Sequence, residues 1–160
     1  MRTEEDQRTI TRSPLSGDAG RFASNVIRLA SSAQYEVVVA SDEYAHALEC
    51  NPGVAEAFRQ AVLRRVAVRV LLGGEARPEL RRVLASISVS TVCCRTKLPL
   101  DFVVADRERV HFQGTRPFDE GKRTRSLARG SRTAGYLRDL FDFLAAGPQR
   151  MENPTAEPRV

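Results

Sequence analysis

A single α/β sandwich, with a mixed, partly parallel sheet flanked by helices, follows from three features of this chain. Residues 35–40 and 66–72 are continuous runs rich in valine, the pattern of strands covered on both faces. Segments with apolar residues at helical spacing alternate with those runs. Near the end, residues 98–115 read instead as strand, tight turn, strand and glycine. Three helix–strand units followed by a hairpin and a last helix place parallel crossovers first and antiparallel pairing last.

Each element has its own signal. Phe22, Val26, Ile27 and Leu29 set a helix over 21–33, leading into the first strand. Ser41 and Asp42 begin a short helical turn through Tyr44, Ala47 and Leu48, which Asn51-Pro52-Gly53 breaks. Ala57, Phe58, Ala61 and Val62 share one side of a helix over 54–65, and Pro52 stands near its start, where proline is tolerated. Gly73-Gly74 closes the second strand, and Pro78 opens a helix through Leu80, Val83, Leu84 and Ile87. Residues 89–94 form a third strand, and 102–105 and 109–113 the hairpin. A basic loop over 116–129 leads to a helix over 131–146, which Gly147-Pro148 stops. The expected organisation is a flexible arm at 1–19, one domain at 20–147 and a disordered tail at 148–160.

Bulk properties narrow the class. The 160 residues suffice for one core. No apolar run reaches the roughly 18 residues of a membrane span, and residues 1–8 lack the apolar stretch of a secretory signal. Three cysteines, Cys50, Cys93 and Cys94, suit reduced thiols and a cytoplasmic location. Cys93 and Cys94, adjacent on a strand, point to opposite faces and cannot clamp one metal. The net charge of +5 is concentrated: residues 107–138 hold nine Lys/Arg against three acids. Nearly all the cations are arginine, whose planar fork suits phosphate; a GC-rich genome also favours arginine over lysine.

The hairpin carries a resemblance. Leu98-Pro-Leu-Asp-Phe-Val-Val-Ala-Asp106, its turn, and the return strand into Gly114-Thr115 are similar to the second half of a phospholipase D-type domain. In that family a His-x-Lys-x4-Asp motif sits on the first strand, and Gly-Ser/Thr-x-Asn follows the second. The phrase over 61–72, a basic helix end running into alternating valines, is also similar. The resemblance covers roughly residues 21–146 and implies an α/β domain built on one half of such an enzyme. The family's histidine attacks phosphorus while lysine and asparagine hold the anionic oxygens. Carried over here, only Asp106 and Gly114-Thr115 match. Pro99 occupies the histidine position, Asp101 the lysine position and Pro117 the asparagine position.

No catalytic residue is therefore assigned, and neither a metal nor a cofactor is expected. His111, on a strand face with Arg109 and Gln113, belongs with Asp106, Gly114 and Thr115 to the remnant of the motif and reads as structural or solvent-facing. His46 forms no defensible dyad or triad. The residues expected to contact phosphates are Arg109, Arg116, Lys122, Arg123, Arg125, Arg129 and Arg132. The functional expectation is a catalytically inactive binding or regulatory module that contacts nucleic-acid phosphates through the 116–132 loop. The alternatives are a protein-interaction scaffold, a small-ligand sensor using a cleft between Asp42, Asp101 and Asp106, and an enzyme with relocated residues. The resemblance implies a homodimer or a partner subunit and a setting in bacterial defence or regulation; the basic loop suggests DNA or RNA as the other partner, and no membrane is expected.

Overall fold

The computed structural model describes residues 17–74, 77–94, 97–114, 128–129 and 132–152. The elements run α1 (Gly17–Ser32), β1 (Glu36–Ser41), α2 (Ala45–Cys50), α3 (Pro52–Leu63), β2 (Ala67–Gly73), α4 (Pro78–Ser86), β3 (Ser90–Cys94), β4 (Leu100–Ala105), β5 (Arg109–Gly114), β6 (Ala128–Arg129) and α5 (Arg132–Glu152). They build one six-stranded sheet in the order β3-β2-β1-β4-β5-β6. β1 is parallel to β2 and β2 to β3, whereas β4, β5 and β6 are added antiparallel. The sheet is mixed and partly parallel, as the order of elements requires.

Alternation along the strands divides the core into two layers. Val37 and Val39 of β1 and Val68, Val70 and Leu72 of β2 face α1, α2, α3 and α4, where Phe22, Val26, Leu48, Phe58 and Leu84 meet them. Val38, Ala40, Leu71, Phe102 and Val104 face α5 and pack on Ala134, Leu137 and Phe141. Each fully buried phenylalanine contributes about 2–3 kcal/mol by leaving water. Cys93 packs against the first layer and Cys94 lies in the second, so the neighbouring thiols do point apart.

Several boundaries differ from the sequence expectation. α1 begins at Gly17 rather than 21, because a first helical turn needs no apolar stripe. Asn51-Pro52-Gly53 ends α2 as expected and also opens α3 two residues before 54: the Asn51 side-chain oxygen accepts from the Gly53 amide at 3.0 Å, and Pro52 occupies the first turn. Two residues of the segment read wholly as loop, Ala128 and Arg129, pair with Val110 and Arg109 as β6. α5 passes through Gly147 and Pro148 to Glu152, since proline near a helix end has helical φ and removes one hydrogen bond only.

Candidate functional site

The carboxyl ends of parallel strands are where ligand sites of open α/β sheets form. Here that end holds Ser41 and Asp42 after β1, Gly73 and Gly74 after β2, Asp101 at the start of β4 and Gln113 near the end of β5. Ser41, Asp101 and Gln113 are all buried and form a polar row under α1 and α2, since Ala40 pairs with Phe102 and Asp101 with Gln113.

Asp101 organises this end. One carboxylate oxygen, Oδ2, accepts from Ser41 Oγ at 2.8 Å and from the amides of Asp42 and Tyr44 at 3.1 and 2.9 Å. The other, Oδ1, is buried with no hydrogen-bond partner among the described residues. Burial raises the Asp101 pKa to about 6; the three donors pull it down and the Asp42 charge adds to the rise. Asp42 bends the other way: its Oδ2 accepts from the Leu98 amide at 2.8 Å. A Cβ at Gly73 would meet Leu98 Cγ at 2.7 Å and Asp42 Oδ2 at 3.1 Å, and Gly74 holds φ +72° beside Asp42. The glycine pair is thus the room that Asp42 and Leu98 need.

This geometry bears directly on the motif positions. Pro99 is exposed and carries no nucleophile. Asp101, which the resemblance sets against the family's lysine, occupies the hydroxyl and amide donors that could otherwise hold an anion.

Asp106 lies at the far end of β4, about 16 Å away at strand rise, in a turn where Asp106 and Arg107 take φ of 54° and 59°. Its carboxylate accepts from the amides of Gln34, Tyr35 and Glu36 at 2.9, 2.7 and 3.0 Å. Burial acts to raise its pKa, but these amides and Arg109 outweigh it, and the net shift is downward. The expected cleft between Asp42, Asp101 and Asp106 therefore does not exist: the strand length separates the third carboxylate from the other two.

His111 is buried, not solvent-facing, 6.1 Å between ring centroids from Phe22. Gln113 Nε2 donates to the Asp18 carbonyl at 3.3 Å, so Gln113 Oε1 is left to accept from His111 Nε2–H at 3.2 Å. Both side chains tie β5 to α1. Gly114 pairs with Leu100 at the Asp101 end; Thr115, like Pro117, lies outside the described residues.

The cations expected to meet phosphate are dispersed. Arg109 sits at the Asp106 end, 3.4 Å from Asp106, donating to the Ser32 carbonyl at 3.1 Å and touching Ser32 Oγ. The Arg129 backbone pairs beside it. Arg132 is exposed at the start of α5. Arg116, Lys122, Arg123 and Arg125 lie outside the described residues.

Two groupings escaped sequence reasoning. Arg138 binds Glu36 at 2.8 and 3.2 Å and Asp142 at 2.7 Å, and Arg69 binds the same Asp142 at 3.0 Å, with both guanidiniums near the Phe141 ring. An arginine at helical spacing with Ala134 and Phe141 was the available signal, because a core-facing cation needs a carboxylate. Exposed Cys50 and His46 also meet, Sγ to Nε2 at 3.3 Å, one turn apart on α2. Among the described residues no group of three or more His, Cys, Asp or Glu is placed to hold a metal, and no helix is long and apolar enough to cross a membrane.

No protein-family model matches the sequence, and no curated protein does. Solved structures do match. The chain is similar to Nuc, a phospholipase D family member from Salmonella typhimurium, at 12% identity and a TM-score of 0.56, covering 76% of this chain and 84% of that one. It is also similar to TrmBL2, an archaeal chromatin protein with a novel mode of DNA binding, at 17% identity and a TM-score of 0.61, over 78% of this chain and 48% of that one. The chain spans about half of the archaeal protein. At such identities the likeness concerns the backbone: this chain has a phospholipase D-like α/β fold.

Proposed function

We propose that this domain is a phospholipase D-fold module without phosphodiesterase activity, which binds a macromolecule, in the first place the phosphates of nucleic acid. The observation that carries the reading is Asp101. A phosphodiester site of this fold needs a cation and free donors at that position, whereas a buried carboxylate repels phosphate and consumes the donors of residues 41–44. The arginine-rich stretch over 116–132 supports the nucleic-acid part, as does the DNA binding of the archaeal structural neighbour. A scaffold role is the second reading, favoured by Tyr136 and Phe143, which stand 71% and 74% exposed on α5. Either way the module is expected to work as a homodimer or beside a partner subunit.

Two measurements test this. Bis(p-nitrophenyl) phosphate incubated with the pure protein is expected to hydrolyse no faster than in buffer; turnover that persists through purification refutes the inactive reading. Light scattering with and without a short DNA or RNA duplex is expected to show a mass gain at low salt that fades at moderate salt. A mass indifferent to the duplex at low salt refutes the nucleic-acid reading and favours the scaffold.

A further inference from the structure

The outer edge of β3 offers a second recognition surface, independent of the arginine-rich stretch. β3 ends the sheet, and no described residue pairs with its free side. Exposed edges are ordinarily blunted by lysine, proline, a bulge or an inward charge. Ser90-Thr-Val-Cys-Cys94 has none of these. Its backbone donors and acceptors on that side pair with no other strand among the described residues.

Beside this edge lies a pocket of about 430 Å³ between α4 and β3, lined by Pro78, Arg81, Arg82, Ala85, Val89 and Thr91. Thr91 Oγ1 is buried there without a hydrogen-bond partner among the described residues. A buried hydroxyl left unpaired is unfavourable by about 1–3 kcal/mol and is relieved when an acceptor arrives. The Arg81 guanidinium is exposed and has no described partner, while Arg82 leans on Glu79. A hydroxyl donor and guanidinium donors around one pocket match a carboxylate.

We propose that β3 accepts an extended acidic peptide as a further strand, with one Asp or Glu side chain seated in this pocket. Backbone pairing supplies the attachment, and Thr91, Arg81 and Arg82 select the acidic residue. A peptide fits this surface better than nucleic acid does, because the free edge presents alternating donors and acceptors that another peptide backbone satisfies.

The probe is a fluorescein-labelled heptapeptide of alternating Glu and Val, followed by anisotropy against the full chain. Binding is expected, with the alternating Lys and Val peptide at least roughly tenfold weaker. The acidic peptide N-methylated at alternate amides, made in both registers, is expected to lose binding in at least one register. Arg81→Glu with Arg82→Gln is expected to weaken the acidic peptide by at least about tenfold while lowering the melting temperature only slightly, through loss of the exposed Arg82–Glu79 pair. Thr91→Val separates recognition from stability: it removes an orphan hydroxyl, so the free protein melts higher while peptide affinity falls. The proposal is overturned if neither peptide binds, if both N-methylated registers bind unchanged, or if the basic peptide binds as well as the acidic one. Displacement of the peptide by a DNA duplex would assign the arginines to phosphate and overturn it too. Self-association that is abolished by the N-methylated peptides would give the edge to a second copy instead.

Discussion

Asp101 is a residue whose charge and surroundings disagree. It titrates near pH 6 in the fold against about 4 in an unfolded chain. The folded protein therefore holds the extra proton between those limits. The stability that Asp101 contributes is complete below about pH 4, falls as pH rises to about 6, and is level above that. Two units correspond to about 3 kcal/mol. Asp106, Glu36 and Asp142 act in the opposite sense, since their folded pKa values are lowered; their contribution is present above about pH 4 and lost in more acid solution. Asp101→Asn isolates the first effect, because its side-chain oxygen still accepts from Ser41, Asp42 and Tyr44. Urea unfolding of both proteins from pH 4 to pH 7 is expected to show a stability difference that shifts in favour of the variant as pH rises. Parallel curves would mean that the buried carboxylate ionises without penalty.

Asp106 illustrates what sequence can and cannot say about a residue. The hairpin turn around it was legible. Its role was not, because three of its four partners, the amides of Gln34, Tyr35 and Glu36, lie some 70 positions away. Removing the carboxylate leaves those amides and Arg109 without their acceptor. Asp106→Ala is expected to lower stability by about 2–4 kcal/mol in urea unfolding and to leave duplex binding unaltered at temperatures where the variant is folded. A loss below about 1 kcal/mol would show that water replaces the carboxylate.

Elements were more legible than contacts. Buried valine runs identify β1 and β2 without ambiguity, since no other structure covers both faces of so short a segment. The parallel pairing of β1, β2 and β3 followed from helices between them. Missed were features set by tertiary partners: β6 and the seam between α5 and the sheet. That seam rests on Arg138, whose side chain is 7% exposed and whose pKa is raised chiefly by its bond to Glu36. Losing Arg138 leaves Glu36 with only the exposed Arg107, at 3.1 Å, whereas replacing both members of a buried pair with apolar residues is nearly neutral. Arg138→Leu is expected to destabilise by about 3 kcal/mol, and Glu36→Leu in that background to recover much of the loss. A double variant no more stable than the single one would remove the ion pair from the account of α5 docking.

For the whole molecule, charge and fold make separate statements. The backbone likeness to two solved structures follows from the order of elements and holds at 12% and 17% identity, because strand and turn positions are set by packing. Function is carried by side chains, and at the carboxyl end of the parallel strands the buried Asp101 carboxylate takes up the Ser41 hydroxyl and the amides of Asp42 and Tyr44. The proposed phosphate contacts fall to the arginines over 116–132. Each phosphate contact releases counterions and contributes about 0.9 to the slope of log affinity against log salt on duplex DNA. Arg123→Ala with Arg125→Ala is expected to reduce that slope by about 2 and to weaken binding to unrelated duplexes equally, as backbone contacts carry no sequence information. Arg109→Ala is expected to leave the slope unchanged and to lower the melting temperature instead, because its guanidinium is held by Asp106 and Ser32. A slope that falls with Arg109 and not with the Arg123 and Arg125 pair would assign the phosphate-binding face to the Arg109 end of β5.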